Sequence, residues 1–156
     1  MSTTPLSEIA DQGSACIHGT CVALQEKGVL IIGASGTGKS SLALQMMALG
    51  AQLVADDRVE LTGQADHVMA AGLPQIRGLI EARGIGLLRA EAARPVRLAF
   101  VVDMDQAEPA RLPEPAEILV LKQTVPLLRG AGVPNLAAGL IQLVKMGRVA
   151  PEWPNT

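Results

Sequence analysis

The chain has almost no aromatic residues: one phenylalanine, Phe100, one tryptophan, Trp153, and no tyrosine among 156 positions. That excludes the stacking platforms that hold single-stranded nucleic acid, and no ring stands out to grip an adenine base. Cysteine is nearly as scarce, with Cys16 and Cys21 alone. Five positions apart on one expected strand, they fall on opposite faces, which disfavours a disulfide between them. No second Cys/His pair stands at zinc spacing, so both read as buried reduced thiols. Excess charge of one sign is also missing. The net charge of −2 gives no bulk attraction to nucleic acid or to an anionic membrane. Nowhere do ~20 apolar residues run together, so no membrane-spanning helix is expected. The N-terminal stretch MSTTPLSEIADQGSA has no basic segment ahead of an apolar one and does not read as a signal peptide. A reducing cytoplasm suits this set of absences.

What is present points to a folded enzyme-sized unit. Hydrophobic residues make up 49% and charged residues 18% of the chain, a balance that rules out disorder. The length fits one domain with a real core. Residues 1–14 read as a polar lead-in and 15–150 as a single domain. Ala15–Leu24 is β-rich and turns through Gln25–Gly28 into Val29–Ile32, a continuous apolar run expected of a strand covered on both faces. Gly33–Gly38 is a loop, and Lys39–Leu49 a helix with Gly50 at its C-cap. Leu53–Ala55 starts the next strand and leads into Asp56 and Asp57. Short β pieces follow at Val59–Thr62 and His67–Ala70, then a loop with Pro74 and Arg77, and LIEARGIGLLRA from Leu79. Val96–Asp103 is a strong buried strand, 105–115 a surface loop, and Ile118–Leu121 and Val125–Leu128 are strands. A helical stripe occupies Asn135–Met146 after Pro134. The fold class is α/β with a mixed sheet.

GASGTGKS, from Gly33 to Ser40, is the strongest signal. In G-x-x-x-x-G-K-[ST] successive backbone N–H groups point inward around phosphate oxygens. Gly33, Gly36 and Gly38 reach conformations that a Cβ forbids, while Ala34, Ser35 and Thr37 complete the loop. Lys39 supplies positive charge to the terminal phosphates, Ser40 places a hydroxyl for Mg²⁺, and Ser41 continues into a helix whose positive end faces the anion. An apolar strand before and an amphipathic helix after give the loop the context it needs.

A triphosphate enzyme also needs a carboxylate at a strand end to hold the magnesium shell, and LVADD provides Asp56 and Asp57. Neighbouring strand residues point different ways, so one can face metal and the other an acceptor hydroxyl. Glu81 and Arg83, two apart in LIEARGIGLL, read either as an ion pair on one strand face or as a magnesium ligand and a cation for phosphoryl charge. Arg111 stands in a loop, a solvated charge or an arginine finger. By itself His18 reads as a satisfied strand histidine, and His67 has no supporting context.

Together these residues resemble the HPr kinase/phosphorylase family. The matching stretches are His18-Gly19 ahead of the loop, GASGTGKS, LVADDRVEL, and LIEARGIGLL as the family's signature, covering roughly residues 15–115. More narrowly the chain is similar to short alphaproteobacterial forms without the family's N-terminal domain. The resemblance implies ATP-dependent phosphorylation of a serine of the phosphocarrier protein HPr, and in many members the reverse reaction with inorganic phosphate. It implies a P-loop domain like that of phosphoenolpyruvate carboxykinase, often in hexamers. By motif position Lys39 binds phosphates, Ser40 and Glu81 bind Mg²⁺ with Asp56 nearby, and Asp57 is the general base. His18 and Arg111 match the family's active-site histidine and arginine, and Arg83 and Gly84 belong to the signature. One departure is the segment after Val125-Pro126, LLRGAGVPN, where Arg129 is the only cation. The family's basic dephosphorylation loop stands at that position.

Three rivals share parts of this pattern. A small-molecule kinase keeps the P-loop but needs a metabolite pocket and usually an arginine-rich lid. A GTPase needs an Asn-Lys guanine motif, and neither Asn135 nor Asn155 precedes lysine. A sensing module would bind ATP without turnover.

Overall fold

The computed structural model describes residues 3–152, so Met1 and Ser2 of the lead-in, Trp153 and Asn155 lie outside the described residues. In chain order the elements are β1 (Ser14–His18), β2 (Thr20–Leu24), β3 (Lys27–Ile32), α1 (Lys39–Ala48), β4 (Gln52–Ala55), β5 (Arg58–Gly63), β6 (Val68–Gly72), β7 (Leu79–Ala82), β8 (Gly86–Arg89), β9 (Val96–Ala107), β10 (Ala116–Val120), β11 (Gln123–Ala131) and α2 (Leu136–Met146). Nine strands form one mixed sheet, while β7 and β8 make a separate hairpin.

The long strand β9 organises the sheet. β3 runs parallel to it along residues 97–103. A strand has only two edges, so the other is divided: antiparallel β6 takes residues 96–97 and parallel β11 takes 101–107. β2 lies between β3 and β4, antiparallel to both. Side chains alternate across this layer. Val29, Ile31, Val22 and Val102 pack with Leu42, Ala43 and Met46 of α1 and with Leu140, Ile141 and Val144 of α2. Leu30, Cys21 and Val101 point the other way, into a core with Ile17, Val59, Leu61 and Val120. Burial on both faces explains why the run at Val29–Ile32 has no polar alternation.

Three expectations from sequence are revised. Ala15–Leu24 is two strands that part at Gly19: β1 pairs with β5 and β2 with β3 and β4, and at Gly19 a Cβ would lie 3.0 Å from the Ile31 carbonyl oxygen. Cys16 and Cys21 therefore sit on different strands; both are buried free thiols, and burial pushes the Cys21 thiol up to about 12. The lead-in is not merely polar: Leu6 and Ile9 are buried, and the Lys122 N–H donates to the Ala10 carbonyl at 2.6 Å. The loop expected from 105 begins later, since β9 continues to Ala107.

Candidate functional site

The turn from β3 into α1 is built by glycine. Gly33, Gly36 and Gly38 all take positive φ (148°, 86° and 92°), conformations that carry a steric cost with a Cβ. At Gly33 a Cβ would also meet the Thr37 Oγ1 at 2.8 Å. The backbone thus wraps back on itself, and Thr37 Oγ1 donates to the Ala34 carbonyl at 2.7 Å. Lys39, the first residue of α1, is only 7% exposed. Its ammonium donates to the carbonyls of Gly33 and Ala34, both at 2.9 Å, bridging the loop's mouth. The N-terminal end of α1 faces the same space, a place suited to anions.

Asp56 and Asp57 follow β4 and have opposite surroundings. Asp56 is buried and its carboxylate is fully engaged. Oδ1 accepts from Thr20 Oγ1 at 2.9 Å and from Ser40 Oγ at 2.7 Å, and Oδ2 accepts the Glu81 N–H at 3.1 Å. One side chain therefore joins β2, the start of α1 and the β7 hairpin. Asp57 turns outward because its φ of 70° lies in the left-handed region. Its side chain is 64% exposed, with Oδ1 3.2 Å from His18 Nδ1 and Oδ2 3.9 Å from Arg58 Nε. His18 Nδ1 also lies 3.1 Å from the Asp57 carbonyl oxygen, and the Gly19 N–H donates to that oxygen at 3.1 Å. The end of β1 thus fixes an exposed carboxylate beside an imidazole.

The β7–β8 hairpin brings Glu81 and Arg83 to the same place. Gly84 and Gly86 at φ 88° and 141° permit its tight turn. Among the described residues no ion pair joins Glu81 to Arg83. Both instead line a cleft of about 530 Å³ with His18, Thr20, Ser35, Gly36, Gly38, Lys39, Ser40, Ser41, Asp56 and Asp57. Most of the residues singled out from sequence converge there. Thr20 was missed, since a strand threonine carries no sequence signal of its own. Asp103 and Asp105 were missed too: at the end of β9, Asp105 accepts the Ala34 N–H at 3.0 and 3.1 Å.

Arg111 does not join the cleft. The chain leaving β9 folds toward β11, where Arg129 donates to Gln106 Oε1 at 3.0 Å and to Glu108 Oε1 at 3.4 Å. Arg111 lines a second groove of about 460 Å³ with Glu108, Pro113, Arg129, Leu136 and Arg148. Arg129, the one cation of the segment after Val125-Pro126, is in that groove as well. His67 is tied to Asp66 at 2.6 Å, and this hydrogen bond holds the Asp66 carboxyl below its ordinary value.

Oxygen donors dominate the first cleft. Among the described residues no three His, Cys, Asp or Glu side chains converge as a ready-made metal cage. The Ser40 hydroxyl against Asp56, with the Glu81 carboxylate lining the same cleft, suits a hard cation that takes the rest of its shell from phosphate and water. No helix among the described residues is long and apolar enough to cross a membrane.

Comparison with known proteins matches this geometry to one family. The family described as the HPr serine kinase C-terminal domain matches residues 9–97, which include His18, the loop, both aspartates, Glu81 and Arg83 but not Arg111. The chain is 33% identical over 160 residues to an HPr kinase/phosphorylase of a Geobacillus species, covering 89% of this chain and 51% of that one. It is 35% identical over 145 residues to the HPr kinase/phosphorylase of Aromatoleum aromaticum, covering 81% of this chain and 46% of the relative. The chain thus spans about half the length of these curated relatives. In structure it is similar to the HPr(Ser) kinase/phosphatase from Coxiella burnetii, with a TM-score of 0.71 at 22% identity, covering 83% of this chain and 93% of the other. That likeness shows the fold.

Proposed function

The chain belongs to the HPr serine kinase C-terminal domain family, and from that premise we propose that it transfers the γ-phosphoryl group of ATP to a serine of HPr. The observation that carries the proposal is the split of the acidic pair at one cleft. Asp56 is buried against Ser40, and Asp57 is exposed beside His18.

Phosphoryl transfer asks a protein mainly for positioning and charge stabilisation. The backbone of residues 33–40 cradles the phosphates, and Lys39 swings from the Gly33 and Ala34 carbonyls onto their oxygens. Asp56, anchored by three donors, holds the Ser40 hydroxyl in place. Asp57, free in the cleft, accepts the proton of the incoming serine as its oxygen attacks phosphorus. His18 fixes the orientation of that carboxylate. Arg83 takes the cationic part opposite Lys39, where a loop arginine was expected from sequence. Mg²⁺, when held by Ser40 with Asp56 and Glu81 around it, would neutralise charge on the phosphates. In the reverse direction, with inorganic phosphate attacking the seryl phosphate, the same Asp57 would return the proton to serine and pyrophosphate would leave.

Labelled ATP offered with HPr and, separately, with a panel of small hydroxyl metabolites tests the assignment. Label is expected on a serine of HPr. Label on a metabolite instead would support a small-molecule kinase, and tight ATP binding with no labelled product would support a sensing module.

A further inference from the structure

Beyond the residues that face the cleft, the end of β9 is wired to the phosphate loop. Ala34 is the node of that loop. Its carbonyl receives Thr37 Oγ1 at 2.7 Å and Lys39 Nζ at 2.9 Å, and its N–H is taken by both oxygens of Asp105 at 3.0 and 3.1 Å. The contact joins parts of the chain 71 positions apart. Gly33 seats against the same strand end, where a Cβ would lie 3.1 Å from Met104 Cβ and 3.5 Å from Asp105 Oδ1.

Asp105 is itself held. Its N–H donates to Asp103 Oδ1 at 2.9 Å, Asp103 Oδ2 accepts from Gln106 Nε2 at 2.6 Å, and Gln106 Oε1 accepts from Arg129 Nε at 3.0 Å. β9 and β3 are parallel neighbours with Ile32 opposite Asp103. The sheet register therefore delivers the carboxylate to the Ala34 amide.

We propose that Asp105 is a positioning residue: by clamping the Gly33–Ala34 peptide through its N–H it sets the direction of the Gly33 carbonyl, which receives Lys39 Nζ at 2.9 Å, and so the resting place of Lys39 and the convergence of the loop's amides on phosphate. The inference rests on the reading of residues 33–40 as a nucleotide phosphate cradle. An anionic acceptor beside a phosphate site repels the ligand, while its hydrogen bond orders the peptide that receives it. A neutral amide at the same position keeps one acceptor oxygen and loses the repulsion. The hydrogen bond and the charge therefore make opposite predictions.

The test is calorimetric binding of Mg²⁺–ATP and, separately, of Mg²⁺–pyrophosphate to the full chain, to Asp105→Ala and to Asp105→Asn, with thermal unfolding of each. Asp105→Ala is expected to weaken both ligands by about tenfold, the size of one charge-assisted hydrogen bond. Its unfolding temperature should stay near the parent's. Asp105→Asn should bind both at least as tightly as the parent. If Asp105→Ala binds like the parent, or Asp105→Asn loses as much as Asp105→Ala, the positioning role is wrong. Absence of ATP and pyrophosphate binding in the parent would instead overturn the cradle reading itself.

Discussion

Two hollows of similar size, about 530 and 460 Å³, each collect arginine and glutamate, yet only one is lined by the glycine loop and the start of α1. In the first, every charged side chain is carried by a strand end, a helix start or a two-stranded hairpin. In the second, Glu108, Arg111 and Glu114 come from the stretch between β9 and β10, Arg148 follows α2, and of the charged residues only Arg129 stands on a strand, β11. No ion pair among the described residues involves Arg111 or Arg148. The contrast shows what makes charges converge: backbone already fixed by the sheet places a side chain, whereas the loop charge Arg111 stays outside the cleft and unpaired among the described residues.

Substitutions at four positions would break or sharpen that contrast. The largest effect is expected at Asp57. Its Asn variant should keep ATP affinity and lose about 100- to 10,000-fold in turnover, the usual worth of general-base help; steady-state kinetics with HPr beside nucleotide binding will show whether the two separate. Lys39→Ala should cost about 100- to 1,000-fold in turnover, as loss of one donor to developing charge does, and should weaken ATP as well. Asp56→Ala acts on folding first. It strands the Thr20 and Ser40 hydroxyls and the Glu81 N–H, a loss of about 2–4 kcal/mol. Thermal melts should fall by roughly 5–15 °C for a chain of this size, whereas Asp57→Ala, with its side chain mostly in solvent, should melt near the parent. Arg111→Ala should change turnover by no more than about twofold, the range of an ordinary surface substitution. A 100-fold loss there would mean that the second groove takes part in the chemistry.

The sequence made the first cleft readable because its parts come as spaced motifs. GASGTGKS states a backbone shape, LVADD a strand with acids at its end, and LIEARGIGLL a hairpin broken by glycine. What stayed hidden depends on tertiary pairing. The two aspartates divide their surroundings through the left-handed φ of Asp57, which favours glycine and which no alternation rule assigns to aspartate. Thr20 matters only because β2 pairs with β4 and so brings its hydroxyl to Asp56. Asp105 matters only because β9 lies parallel to β3 with Asp103 opposite Ile32. Arg111 was placed by its match to a motif position in a loop, and in the fold that loop lines the second groove with Glu108 and Arg129.

The central claim is that the exposed member of the acidic pair serves serine phosphorylation of a protein. It is tested most directly by incubating the parent chain and Asp57→Asn with HPr, Mg²⁺ and ATP and mapping the product by mass spectrometry. A single phosphoserine on HPr with the parent, and almost none with Asp57→Asn although ATP still binds, is the predicted result. Equal phosphorylation by both proteins, or ATP bound by the parent with HPr left unmodified, would contradict it.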